Sequence, residues 1–360
     1  MIKKKLTNLE IGTLNYFMVR AFLIGETFNA IVNAMRQDCW IIPILSIIPG
    51  LIFIFLIDYI SKYKENENVA NKLKELFKSK LSIILIVLIT LMSVALCILN
   101  LLNLSNFIKS QFLPKTPIYI IAIAFMGAAI YLLFKGLNTI GRTGVILFYF
   151  SIFLFIFNLI AMIPNINLKN LMPILNSKPN DYLKALETFY GYNIIALFPT
   201  LVIPKCNIEN PKIKKTLTIF YLISITTIFF IIFVTVSTFG YELTLLFEYP
   251  EFHVLKYISL IGLSSRIESI LVMQLIIDIF MSIVFIIYFI SDNIKSLFNI
   301  KKQNKTYLIL SFFIVIATVI LSKNNTLVDM IIKDRIPLLS TILSIIIISV
   351  ISIKIKMSKN

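Results

Sequence analysis

Residues 81–99, LSIILIVLITLMSVALCIL, and residues 336–353, IPLLSTILSIIIISVISI, are apolar on every face and carry no charged side chain. A helix rising 1.5 Å per residue crosses a hydrocarbon core of about 30 Å in about twenty residues. Inside lipid only helices and closed barrels satisfy their own backbone hydrogen bonds. Barrel strands would alternate in segments of about ten residues, and these blocks do not. Comparable blocks fill most of the 360 residues, of which 58% are hydrophobic and 14% charged, where a soluble domain has about 25% charged. The expectation is an all-α integral membrane protein, with residues 1–360 forming a single transmembrane domain.

Ten spans are expected, at about 9–34, 40–60, 81–105, 116–135, 143–163, 184–203, 216–238, 267–292, 306–322 and 335–353. The net charge of +16 would suggest nucleic acid in a soluble protein, but here it orients the chain. With the N-terminus inside, twenty-two Lys and Arg fall on cytoplasmic segments and eleven on outer ones, with Arg20 left within a span. The positive-inside rule therefore places both termini in the cytoplasm, with the lipid bilayer as surroundings and no nucleic-acid partner. Loop 61–80 is then cytoplasmic, and 164–183 and 239–266 are outer loops too long for simple turns. The second is either a set of short helices over a vestibule or an ordinary capping loop. The N-terminal stretch runs into a full span without a small-residue cleavage site, so no cleaved signal is expected.

The informative residues are the polar ones at membrane depth. Arg20 lies about eleven residues, roughly 16 Å, into the first span, too deep for easy snorkelling. An intramembrane charge usually faces a bundle interior or a watery cavity. Glu26 is the natural counter-charge, yet six positions on an ideal helix stand about 9 Å and 240° apart. A break at Gly25 would bring the two together, because freed backbone groups survive at this depth only where they line a cavity. Arg20, Gly25, Glu26 and Thr27 thus form a candidate ligand site between half-helices; the alternative is that Glu26 is solvated at the outer surface.

The sixth span, LETFYGYNIIALFPTLVIPKC, has Gly191 and Asn193 early and Pro199 and Pro204 late. It opens the second set of five spans, which must run opposite to the first because five is odd. Interrupted helices at matching positions of two inverted halves, here 9–163 and 184–353, point to a transporter-type site near mid-membrane. A break near 191–195 is expected, with Tyr190, Gly191, Tyr192 and Asn193 as ligand contacts. In the eighth span Gln274 and Asp278 lie one turn apart on one face, as an ion relay or gating element or as helix–helix glue. Arg266 and Glu268 begin that span as an outer-face gate or an anchor.

Three isolated cysteines, Cys39, Cys97 and Cys206, and the single His253 give no metal spacing and no disulfide framework. GLNTIGRT, residues 136–143, nearly fits a phosphate-binding loop, but it has arginine for lysine and lies between membrane spans. No nucleophile–base pair appears, so the chain is not expected to be an enzyme or to carry a cofactor or metal.

Over essentially its whole length the chain resembles the spore germination permeases, the B subunits of nutrient germinant receptors, within the amino acid/polyamine/organocation transporter superfamily. The resemblance rests on IGETF, AMRQDCWIIPILSIIPGL, GLNTIGRTGVILF, NLMPIL, FYGYNIIALFPTLVIPK and LSSRIESI, in that order. It implies a leucine-transporter-like arrangement of two inverted five-helix repeats, with helices 1 and 6 interrupted around the ligand. It also implies a small nutrient ligand such as an amino acid, receptor A and C subunits as partners, and the spore inner membrane as location. The implied function is a nutrient-sensing subunit, with an ion-coupled secondary amino acid transporter as the alternative. This chain lacks the proline common after the span-one glycine, and has Asn193 where an acidic residue is common. Ligand identity and ion coupling therefore do not carry over.

Overall fold

The computed structural model describes residues 5–22, 26–78, 80–260, 268–300, 303–324 and 335–359. These are helical apart from connections and one isolated β-bridge, Leu6 to Ile208. In chain order the helices are α1 (Asn8–Arg20), α2 (Glu26–Met35), α3 (Ile41–Ser61), α4 (Val69–Phe77), α5 (Lys80–Gln111), α6 (Ile118–Phe134) and α7 (Leu137–Met162). They continue with α8 (Pro179–Leu197), α9 (Ile213–Leu246), α10 (Pro250–Leu260), α11 (Glu268–Phe298), α12 (Gln303–Leu321) and α13 (Ile336–Lys359). Among the described residues seven, α3, α5, α7, α9, α11, α12 and α13, are long and apolar enough to cross a membrane. The shorter α6 is also apolar.

α7 shows how pattern becomes packing. Ile146, Phe153 and Ile160 repeat every seven residues and are exposed, forming an apolar stripe suited to lipid. Ser151 and Asn158 share the opposite face and are buried. By contrast, Glu10 to Arg20 of α1 are all buried, since α7, α8, α9 and α11 surround this helix. A capping box starts α1: Glu10 N–H donates to Thr7 Oγ1 at 3.2 Å, and Thr7 N–H donates to the Glu10 carboxylate at 2.7 Å.

The lysine-rich segments meet at one end. Leu6 N–H donates to Asn207 O and Glu209 N–H to Leu6 O, both at 2.8 Å, while Cys206 N–H reaches Glu65 O at 3.2 Å. Asn68 in turn bonds Asp292 near the end of α11. At the opposite end buried Asp38 gathers the 164–183 segment, accepting from Leu175 N–H at 2.8 Å and from Ser177 N–H at 2.9 Å. The described part of 239–266 contains α10, which packs on α7, α9 and α11. α9 overruns its expected end and turns at Gly240, whose φ of 73° suits glycine.

The 61–80 connection contains α4, which holds buried Lys72. Its Nζ donates to Ile60 O at 3.2 Å and Ser61 O at 2.9 Å. Burial pushes this amine down from 10.5 to about 8, although Glu65 opposes the shift. Between those values the unfolded chain holds the proton and the folded chain does not, so stability should rise with pH across that window. The thermal midpoint of wild type relative to Lys72→Met is expected to increase from pH 8 to pH 10. A constant difference would mean the amine is not desolvated.

Candidate functional site

The first span divides into two helices. α1 ends at Arg20, Ala21 caps it through N–H to Phe17 O at 3.0 Å, and α2 begins at Glu26. Gly25 and the side chain of Glu26 lie outside the described residues. Thr27, in the first turn of α2, is buried.

Among the described residues Arg20 pairs across the bundle, while the side chain of the expected Glu26 partner lies outside them. Arg20 Nε donates to Asp278 Oδ2 at 2.6 Å, with side-chain exposures of 4% and 1%, so α11 supplies a counter-charge. The physical reason is direction: both side chains face the α1–α11 contact, where two charges removed from water must meet. Ser151 Oγ donates to the other carboxylate oxygen at 2.8 Å, and the ring of Phe155 lies 5.4 Å from the Arg20 guanidinium carbon. One guanidinium nitrogen, Nη1, is buried with no hydrogen-bond partner among the described residues.

Gln274 stands one turn from Asp278 and accepts from Asn158 Nδ2 at 3.3 Å. Later residues of α7 thus meet earlier residues of α11, so the two helices run antiparallel. Ser151, Asn158 and Phe155 were not singled out from the sequence. The available signal was the seven-residue spacing of Ser151 and Asn158, two turns apart on one face of an otherwise apolar helix. Glu268 starts α11, while Arg266 lies outside the described residues.

The sixth span departs further from expectation. α8 continues without a break through 191–195 to Leu197 and then tightens into a 3-10 turn over Phe198–Val202. Pro199 ends the α-helix, since it has no N–H to give. Gly191 serves close packing: a Cβ there would stand 2.5 Å from the carbonyl oxygen of Pro337 on α13. Tyr190 donates its hydroxyl to Pro49 O on α3 at 3.1 Å, and Asn193 Nδ2 donates to Phe189 O of its own helix at 2.8 Å. These three residues therefore stand on a continuous α-helix and not on an unwound segment. Tyr192 does reach the interruption, where its ring stacks on Phe22 at 5.7 Å between centroids.

The chain is a helical membrane bundle whose first span divides into α1 and α2, with a buried ion pair at the end of α1. Solved transporters share this fold. The nucleobase-cation-symport-1 family transporter Mhp1, closed with bromovinylhydantoin bound, superposes with a TM-score of 0.70 at 14% identity, covering 96% of this chain and 78% of that one. A Na+-coupled sialic acid symporter superposes with a TM-score of 0.64 at 14% identity, covering 92% of this chain and 77% of its own. A manganese transporter of Eremococcus coleocola gives 0.63 at 13% identity, covering 94% and 76%.

Residues 13–328 match the sequence profile of the spore permease family, described as spore germination protein, and the chain belongs to that family. Spore germination protein KB of Bacillus subtilis (strain 168) is 22% identical over 315 residues, 86% of this chain and 84% of that protein.

Proposed function

We propose that this protein is the membrane subunit of a spore germinant receptor, binding a small nutrient such as an amino acid at the α1–α2 interruption. Signalling would pass to receptor A and C subunits at the spore inner membrane, with both termini cytoplasmic. The observation that carries the reading is the break itself, flanked by Arg20 on one side and the start of α2 on the other. The N-terminus of a helix favours a carboxylate, and Arg20 Nη1, without a partner among the described residues, offers a further donor. The Phe22–Tyr192 stack supplies an apolar wall. Ten spans in two inverted repeats are supported by the packing of α1 on α9 and of α8 on α3, equivalent pairs under such symmetry.

A sensor needs only that ligand favour one conformation. The ion pair fits this reading, because Asp278 is already neutralised by Arg20 and so has no need of a coupling ion. The alternative, an ion-coupled amino acid transporter, is favoured by the likeness to cation-coupled symporters. Deleting the gene and scoring germination nutrient by nutrient, alongside uptake by reconstituted vesicles, separates the two. Loss of the response to a particular nutrient is expected. Normal germination to every nutrient together with ion-coupled uptake would establish the transporter. Phe22→Ala and Tyr192→Ala should each raise the effective nutrient concentration roughly three- to tenfold, the range of one aromatic stack.

A further inference from the structure

A groove of ~520 Å³ lies between the end of α3 and the start of α9, at the lysine-rich end of the bundle and away from the α1–α2 interruption. Lys62, Lys205, Lys212, Lys214 and Lys215 line it, against Asp58 as the only acid among the described lining residues. Two of these lysines are spoken for: Lys62 pairs with Asp58 at 2.6 Å, and Lys205 pairs with Glu65. Lys212, Lys214 and Lys215 are exposed and have no carboxylate partner among the described residues. They occupy the N-cap and first turn of a 34-residue helix that starts without a side-chain cap. Three ammonium groups and the positive end of a helix dipole therefore converge on one opening.

The groove is also amphipathic. Lys214 Nζ sits 5.1 Å from the ring centre of Phe55, and Phe55 and Ile219 are exposed beside it. Lysine over an outward-facing ring at the end of a membrane helix marks the level where polar surface gives way to lipid. A ligand matching both parts carries a negative head and an apolar tail.

We infer that this groove is a binding site for the phosphate headgroup of an anionic phospholipid. The headgroup sits among Lys212, Lys214 and Lys215, and an acyl chain runs down past Phe55 and Ile219. The charge of the site selects anionic over zwitterionic lipid, with about fivefold contributed by each lysine near an anionic surface. Because α9 packs along α1, an occupied site anchors the helix that supports the broken span.

The test uses the full chain, purified in neutral detergent and stripped of lipid, with bound lipid counted by native mass spectrometry. Phosphatidylglycerol is expected to be retained at least tenfold better than phosphatidylcholine. That preference should fall to near unity in Lys212→Gln/Lys214→Gln/Lys215→Gln. It should persist in Lys305→Gln/Lys354→Gln/Lys356→Gln, which removes the same charge at other positions. Size-exclusion elution of both variants as monodisperse peaks confirms that they are folded. Equal preference in wild type and the first triple variant would overturn the site. Displacement of phosphatidylglycerol by millimolar inorganic phosphate would overturn the lipid assignment and leave a soluble-phosphate site. Loss of nutrient response in the spore bears on the α1–α2 reading alone and leaves this assay unaffected.

Discussion

Arg20→Met and Asp278→Leu are each expected to destabilise the protein by about 3–5 kcal/mol, because either leaves an uncompensated charge in the bundle interior. The double variant Arg20→Met/Asp278→Leu should recover most of that loss, since an apolar pair of similar size removes both desolvation costs together. Thermal midpoints of the detergent-solubilised protein, compared as a double-mutant cycle, measure the coupling. Additive losses would show that the 2.6 Å contact contributes nothing. The double variant also separates structure from sensing. If Arg20 contributes Nη1 to ligand, that variant will be folded yet fail to respond to nutrient.

Gly191→Ala is expected to disrupt the α8–α13 contact. The added methyl would lie 2.5 Å from Pro337 O, 2.8 Å from Pro337 Cα and 2.8 Å from Ser340 Oγ, and two of these atoms are backbone that cannot rotate aside. Overpacking of this kind costs about 1–3 kcal/mol, more than the helix propensity of alanine over glycine returns. Gly127→Ala is the matched control, because nothing lies within 4 Å of a Cβ there. A lower thermal midpoint for Gly191→Ala, with Gly127→Ala unchanged or raised, is the expected result. Equal behaviour of the two would mean that α8 and α13 can separate freely.

The two interrupted spans differ in how well local sequence exposed them. In the first, Arg20, Gly25 and Glu26 interrupt an apolar run, and the helix does stop at Arg20 and resume at Glu26. In the sixth, Gly191 looks like the weak point, yet the α-helix continues to Leu197 and yields only ahead of Pro199. Glycine in a helix is ambiguous in one dimension, since it permits both unwinding and close approach. Proline is less so, because it lacks a donor wherever it stands.

Hydrophobic block length and lysine placement were enough to determine that this is a helical membrane protein whose basic segments gather at one end, because the cost of unsatisfied backbone and buried charge in lipid acts on each segment separately. The same cost marked Arg20 and Asp278 as residues needing partners. Which partners they found was decided only by tertiary structure. Arg20 found Asp278, 258 residues away, because α1 and α11 present those faces to each other. Ser151 and Asn158 joined the cluster for the same reason, and Gly191 became a packing site because α13 lies across it. A helix's own sequence states which face is polar, but the identity of the helix it meets depends on how every other helix packs.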